Sequence, residues 1–329
     1  MKTLLDHVVF DVGGTNYTWE DVLVAAKAWG DWAELEQQVR QGIACVKKLE
    51  QVDEDLDDEE VESAAREFRY ARDLVAASDA EAWFEKWGLT AETWMEYIER
   101  FVLRKKWSAE LPEIVSEYAV TEEEVEENVW ADGVCAGHFE RFVQKLAARV
   151  AVHEKLQEET PHPQPLSPQA GRGESLLPSL DASFQLFTKQ VLTSKAIRDQ
   201  ITAHYAGWIR IDCRCVSFPD EQMAREAALC VQQDGEPLDD VAGRAGTEVQ
   251  QERFYLEHTD PALRPHFQGA KQGELLGPLA WNGQQSLFLI LDKIMPSIDD
   301  PEICQRAEQA VIRSAIAHEV NSRVHWKFF

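Results

Sequence analysis

The sequence predicts an α+β protein in two parts, a helical part first and a mixed part after it, and three observations predict it. Apolar residues before position 159 recur at helical spacing, whereas beyond position 183 segments of period two alternate with helices. A proline-rich stretch separates the two patterns. The chain's first strand-like run, "HVVFDV", and its last, "VHWKFF", have no other partner in sequence, so they are expected to pair under a cover of helices.

At 329 residues the chain is long enough for two domains, each with its own core. A net charge of −26 excludes a nucleic-acid binder, which must neutralise phosphates with clustered Lys and Arg. Residues 1–159 hold 17 Lys plus Arg against 37 Asp plus Glu, a net of −20. That half reads either as a solvated face or as an attractor for basic peptides. No window approaches the ~18 apolar residues of a membrane span, and no signal-peptide run opens the chain, so a soluble, cytoplasmic protein is expected. The six scattered cysteines are expected to be reduced thiols. Cys213 and Cys215 form the only close pair. No second Cys/His pair has matching spacing, so neither a metal nor a cofactor is expected.

In the first part, Thr18 with Asp21 caps a helix that Gly30 stops. Leu35, Val39, Ile43, Val46 and Leu49 mark one face of the next. The acidic run 53–60 places Asp57 or Asp58 as cap of a helix carrying Val61, Ala64, Ala65, Phe68 and Val75, where carboxylates complement the helix dipole. Gly88 ends one helix and Thr90 starts another. Two more follow at 121–131 and 136–157. The many tryptophans serve either as core or as a groove for apolar segments. The two glycines of "DVGGTN" read as a turn after a strand, because no Walker Lys-Ser/Thr follows them.

Residues 160–179 read as a linker, with five prolines between 160 and 178 and no apolar period. They also resemble translated intergenic repeats of bacterial genomes. A helix is predicted from 183 to about Gly207, then a half-buried strand "WIRIDCRCVSF", a helix to Gly235, a short helix in "EPLDDVAGRAG", another before the Gly-Glu turn, and the apolar strand "SLFLILDKI". A helix over 301–323 precedes the terminal strand.

That order, with "QDG" at 233–235, "DDVA" at 239–242 and "AKQGELLGPL" at 270–279, resembles the parvulin (PpiC-type) prolyl isomerase domain over 183–298. "FDVGGTNYTWEDV" and "AWFEKWGLTAETWMEYIERFVLRKK" are similar to the helical chaperone module of SurA-like proteins. The resemblance implies an all-helical SurA-like module over 1–159, completed by 301–329, and a parvulin-like α+β domain. It extends to PpiC-related proteins of bacterial peptide-maturation systems, which implies an unfolded or precursor peptide, with peptide-modifying enzymes, as partners.

Carried onto this chain, the family's first histidine falls at or near Cys213 and its last-strand histidine at Leu287 or Phe288. The double-glycine turn is replaced by "EVQQERFYLEHTDPAL". His258 and His266 stand nearby, in contexts that suit exposed or core-edge residues. Cys213 is therefore the one candidate for a catalytic role. Phe254, Tyr255, Leu263, Phe267 and Phe288 are expected to line a pocket for proline or an apolar side chain, or else to be core. The expected function is a peptide-binding, chaperone-like protein with a degenerate parvulin domain, assisting maturation or export of a ribosomally made peptide. An active prolyl isomerase is the alternative, and a scaffold without a groove a third reading.

Overall fold

A computed structural model of the chain describes residues 5–52, 56–159 and 176–328. The class is α+β, as expected: helices predominate, with two small antiparallel sheets. The chain divides into two compact units, one made of Met1–Phe187 with Ile316–Phe329, the other of Thr188–Ala315. Most of the proline-rich stretch, residues 160–175, lies outside the described residues, as do 53–55 of the acidic run.

In the first unit, β1 (Val8–Val12) and β2 (Thr15–Thr18) form a hairpin. Gly13 and Gly14 both have positive φ, the conformation that a two-residue hairpin turn needs. The C-terminal strand β7 (Val324–Trp326) pairs antiparallel with β1, setting Phe10 opposite Trp326. The expected meeting of the chain ends is thus found, with β2 as a third strand.

The helices follow: α1 (Trp19–Ala28), α2 (Asp31–Val52), α3 (Asp58–Ala71), α4 (Ala77–Trp87), α5 (Ala91–Lys106), α6 (Leu111–Glu117), α7 (Glu122–Cys135), α8 (His138–Glu158) and α9 (Leu177–Val191). Thr18 and Asp21 close the expected capping box, Asp57 caps α3, and Gly88 and Thr90 divide α4 from α5. Val75 is corrected: α3 stops at Ala71, Asp73 takes a positive φ, and Val75 lies exposed beyond the helix. Trp19, fully buried, sits among Trp87, Trp130, Phe139 and Phe328. Arg100 on α5 donates to Asp132 on α7 at 2.6 Å, both buried, so the charges are compensated away from water.

The second unit contains α10 (Ser194–Ala203), β3 (Arg210–Phe218), α11 (Glu221–Gln233), α12 (Leu238–Arg244), β4 (Gln250–Tyr255), α13 (Arg264–Gly269), β5 (Leu275–Trp281) and β6 (Gln284–Ile294). The helix expected from 183 to 207 is two helices. The break falls at Leu192 and Thr193, where the threonine hydroxyl accepts from the Ala196 N–H and starts α10. All pairings in the four-stranded sheet are antiparallel, in the order β4-β3-β6-β5.

Alternation along the strands sorts their side chains. Val216, Phe218 and Leu287 pack under α11 and α12. Ile211, Cys213, Cys215, Phe288 and Ile290 face the other way. The last long helix, α14 (Pro301–Arg323), puts Ile303 and Ala307 into a cluster with Trp208 and Tyr255 in the second unit. Its final turns belong to the first unit, where Glu319 and Arg323 pair with Lys155 and Glu158 of α8. The expectation that the whole helix packs on the N-terminal helices is corrected to those turns.

Candidate peptide-binding face

The sheet face turned away from α11 and α12 carries four rings. Phe267, from α13, lies edge-on to Phe288 of β6 and to Phe254 of β4, each at 5.1 Å between centroids. Trp281, at the end of β5, stands 5.3 Å from both Phe254 and Phe288. Phe267 and Phe288 are fully buried, whereas Phe254 and Trp281 are half-buried. Leu263, Leu276 and Leu279, also half-buried, pack around them. The cluster therefore has a buried floor and a partly exposed edge.

Local sequence explains the shape. Leu276 and Leu279 share the face although three residues apart, because the β5–β6 register shifts between them. Gly277 stands at that shift with φ +115°, and a Cβ there would meet the Ser286 carbonyl at 2.6 Å, so only glycine fits. The Gly277–Pro278 peptide bond is cis. Lys293 of β6 donates to the Gln268 and Ala270 carbonyls at the end of α13, tethering the helix that supplies Phe267.

Four of the five expected lining residues, Phe254, Leu263, Phe267 and Phe288, meet on this face. Tyr255 does not join them. It follows Phe254 in β4, so the strand's alternation turns it to the opposite face, with Ile197, Ile201 and Trp208 and under the Arg306 guanidinium. The register also decides between the two last-strand positions: Phe288 lies opposite Cys215 on the aromatic face, and Leu287 opposite Val216 beneath the helices.

Cys213 is fully buried between Glu252 of β4 and Ile290 of β6. Burial first, then Cys215 and Glu252, pushes its thiol up to about 12, so it stays protonated at neutral pH. Sequence reasoning passed over the polar groups beside it. The Ser217 and Ser286 hydroxyls share a hydrogen bond of 2.8 Å across the β3–β6 pair, next to Cys215. The alternation of "CRCVSF" held the signal for Cys215 and Ser217. His258 and His266 are both exposed. Beside its rings this face presents the Ser217 and Ser286 hydroxyls, the Cys213 and Cys215 thiols and, opposite Cys213, Glu252.

The first unit has concave surface of its own. A groove of about 390 Å³ runs along α3 and α5, lined by Val61, Tyr70, Val75, Trp94 and Met95 with Arg66 and Arg69 at its edge. Tyr70 and Val75 are more than half exposed. Trp19, Trp87 and Trp107 are buried, which assigns those tryptophans to core, while Trp94, also buried, forms part of the groove's lining. Among the described residues Cys230, Asp234 and Glu236 come close enough to share an ion, yet Glu236 is engaged by Arg244.

No protein-family model matches the chain, and no curated protein matches it in sequence. Among solved structures it is similar to the foldase protein PrsA from Streptococcus pneumoniae, with 13% identity, TM-score 0.29 and coverage of 96% of this chain and 92% of that one. It is also similar to a structure of the SurA-like chaperones PEB4 and Cj1289 of Campylobacter jejuni (9%, 0.20, 98% and 99%). A third is PrsA from Bacillus subtilis (14%, 0.22, 97% and 91%). No described helix is long and apolar enough to cross a membrane.

Proposed function

We propose that the protein is a peptide-binding chaperone whose parvulin-like domain, residues 183–298, holds proline or apolar segments without the family's catalytic histidines. The observation that carries this reading is the partly exposed aromatic edge: Phe254 and Trp281 remain half-buried over a buried floor of Phe267 and Phe288. A scaffold without a groove would bury all four. Rotation about a peptide bond meets a barrier of ~18–20 kcal/mol, and lowering it requires polar groups aimed at the twisted amide. Here the aromatic cluster carries a protonated thiol instead.

The client we propose is an unfolded or precursor peptide, held in a bacterial cytoplasm for peptide-modifying enzymes or for export. Support for that setting is the PpiC-related motif pattern together with six unpaired cysteines, four of which, Cys45, Cys135, Cys213 and Cys215, are buried.

The deciding experiment measures proline isomerisation and peptide binding on the same purified chain. Saturable binding of proline-containing apolar peptides with no acceleration of isomerisation is the expected result. Acceleration that disappears in Trp281→Ala would instead make the protein an active isomerase. Absence of binding by a folded sample would defeat the reading.

A further inference from the structure

The aromatic face carries one carboxylate with no internal partner. Glu252 on β4 lies directly opposite Cys213, and opposite residues of an antiparallel pair share a face. Phe254, two residues on, lies on that face too. Glu252 is half-buried and makes no hydrogen bond or ion pair with any described residue. The neighbouring cations are engaged elsewhere: Arg253 donates to Asp212 at 3.0 Å, Arg214 pairs with Asp239, and Lys293 holds the end of α13.

A peptide laid over Phe254 and Trp281 would strip water from that carboxylate. An ion desolvated without a partner opposes binding, whereas one met by an opposite charge does not. We propose that this face selects segments in which a lysine or arginine accompanies the proline or apolar residue, with Glu252 receiving the cation. The geometry suits such a side chain, whose aliphatic stem covers an aromatic edge while its head reaches the carboxylate. An arginine also gains from the ring faces beside it. The proposal rests on the reading of the aromatic face as the peptide site, and adds the class of peptide.

The test uses the full chain and fluorescein-labelled Ala-Xaa-Pro-Phe peptides, with Xaa as Arg, Ala or Glu, followed by anisotropy at 0.15 M salt, where long-range attraction is screened beyond ~8 Å. The Arg peptide is expected to bind about tenfold more tightly than the Glu peptide, with the Ala peptide between them. Glu252→Gln should bring the two charged peptides within about twofold and bind the Ala peptide at least as tightly as the wild type does, since no ion is then stripped of water, and Glu252→Lys should reverse the order. Both changes fall on a half-buried position of an edge strand, and circular dichroism would verify the fold. An Arg preference of equal size in the wild type and Glu252→Gln would assign it to the net charge of −26 and overturn the proposal. So would equal affinity of the wild type for all three peptides. Failure of every peptide to bind, the Ala peptide included, would remove the peptide site itself rather than its selectivity.

Discussion

Trp19 and Trp281 stand in aromatic clusters of similar spacing and unlike fate. Trp19 lies 5.4 to 6.0 Å from the rings of Trp87, Trp130, Phe139 and Phe328 and has no exposed surface. Trp281 lies 5.3 to 6.2 Å from the rings of Phe254, Phe267 and Phe288 and remains half-buried. Ring contacts therefore do not separate a closed core from a partly exposed face. Coverage does: Trp19 lies in a large core drawn from strands and helices, whereas among the described residues the helix packed into the Trp281 cluster is the six-residue α13. A helix that short has too few turns to close the face.

The largest effect that would test this contrast is Phe139→Ala in the Trp19 cluster. It empties a fully buried site against Trp19, Trp130 and Phe142 and is expected to cost about 3–5 kcal/mol in urea unfolding. Trp281→Ala should cost about 1–2 kcal/mol, because part of its surface is already in water, yet weaken binding of an apolar peptide tenfold or more. Equal stability costs at the two sites would make the aromatic face ordinary core. Cys213→Ala comes next, at about 1 kcal/mol for a small buried side chain. Peptide affinity should stay within about twofold, since the thiol lies in the floor, and a larger loss in a titration would restore Cys213 as a site residue.

Much of this was legible in the sequence where the local signal and the tertiary environment agree. Thr18 with Asp21, and Gly88 with Thr90, act through bonds within a few residues, so their helix ends were readable. The alternation of "RIDCRC" and the apolar run "SLFLIL" placed β3 and β6. β4 was not legible. As an edge strand its sequence "QQERFY" has half its residues exposed, and its pairing depends on the long-range partner β3. For the same reason Phe254 and Tyr255 looked equivalent, and only the register sends one to the aromatic face and the other to Ile197 and Trp208. Trp281 was missed because it ends a hairpin, where sequence gives no face. The break at Leu192 was hidden by apolar residues that continue the helical pattern across it.

The smallest effect concerns a second pair of unlike neighbours, the carboxylates Glu124 and Glu252. Glu252 has no internal partner, whereas Glu124 accepts from the Lys47 ammonium at 2.9 Å and from the Thr121 backbone N–H at 2.8 Å, closing the capping box of α7. Lys47 first, then the Thr121 N–H and hydroxyl, hold its carboxyl down at about 2, against an ordinary 4.5. The unfolded chain therefore binds this proton more readily than the folded one. Whatever Glu124 contributes is whole above about pH 4.5 and disappears as the pH falls towards 2. Thermal midpoints of the wild type and Glu124→Gln should differ slightly at pH 6 and draw together as the pH falls from 4.5 towards 2. A difference that persisted unchanged in acid would show that the cap's geometry, rather than the charge of Glu124, holds the start of α7.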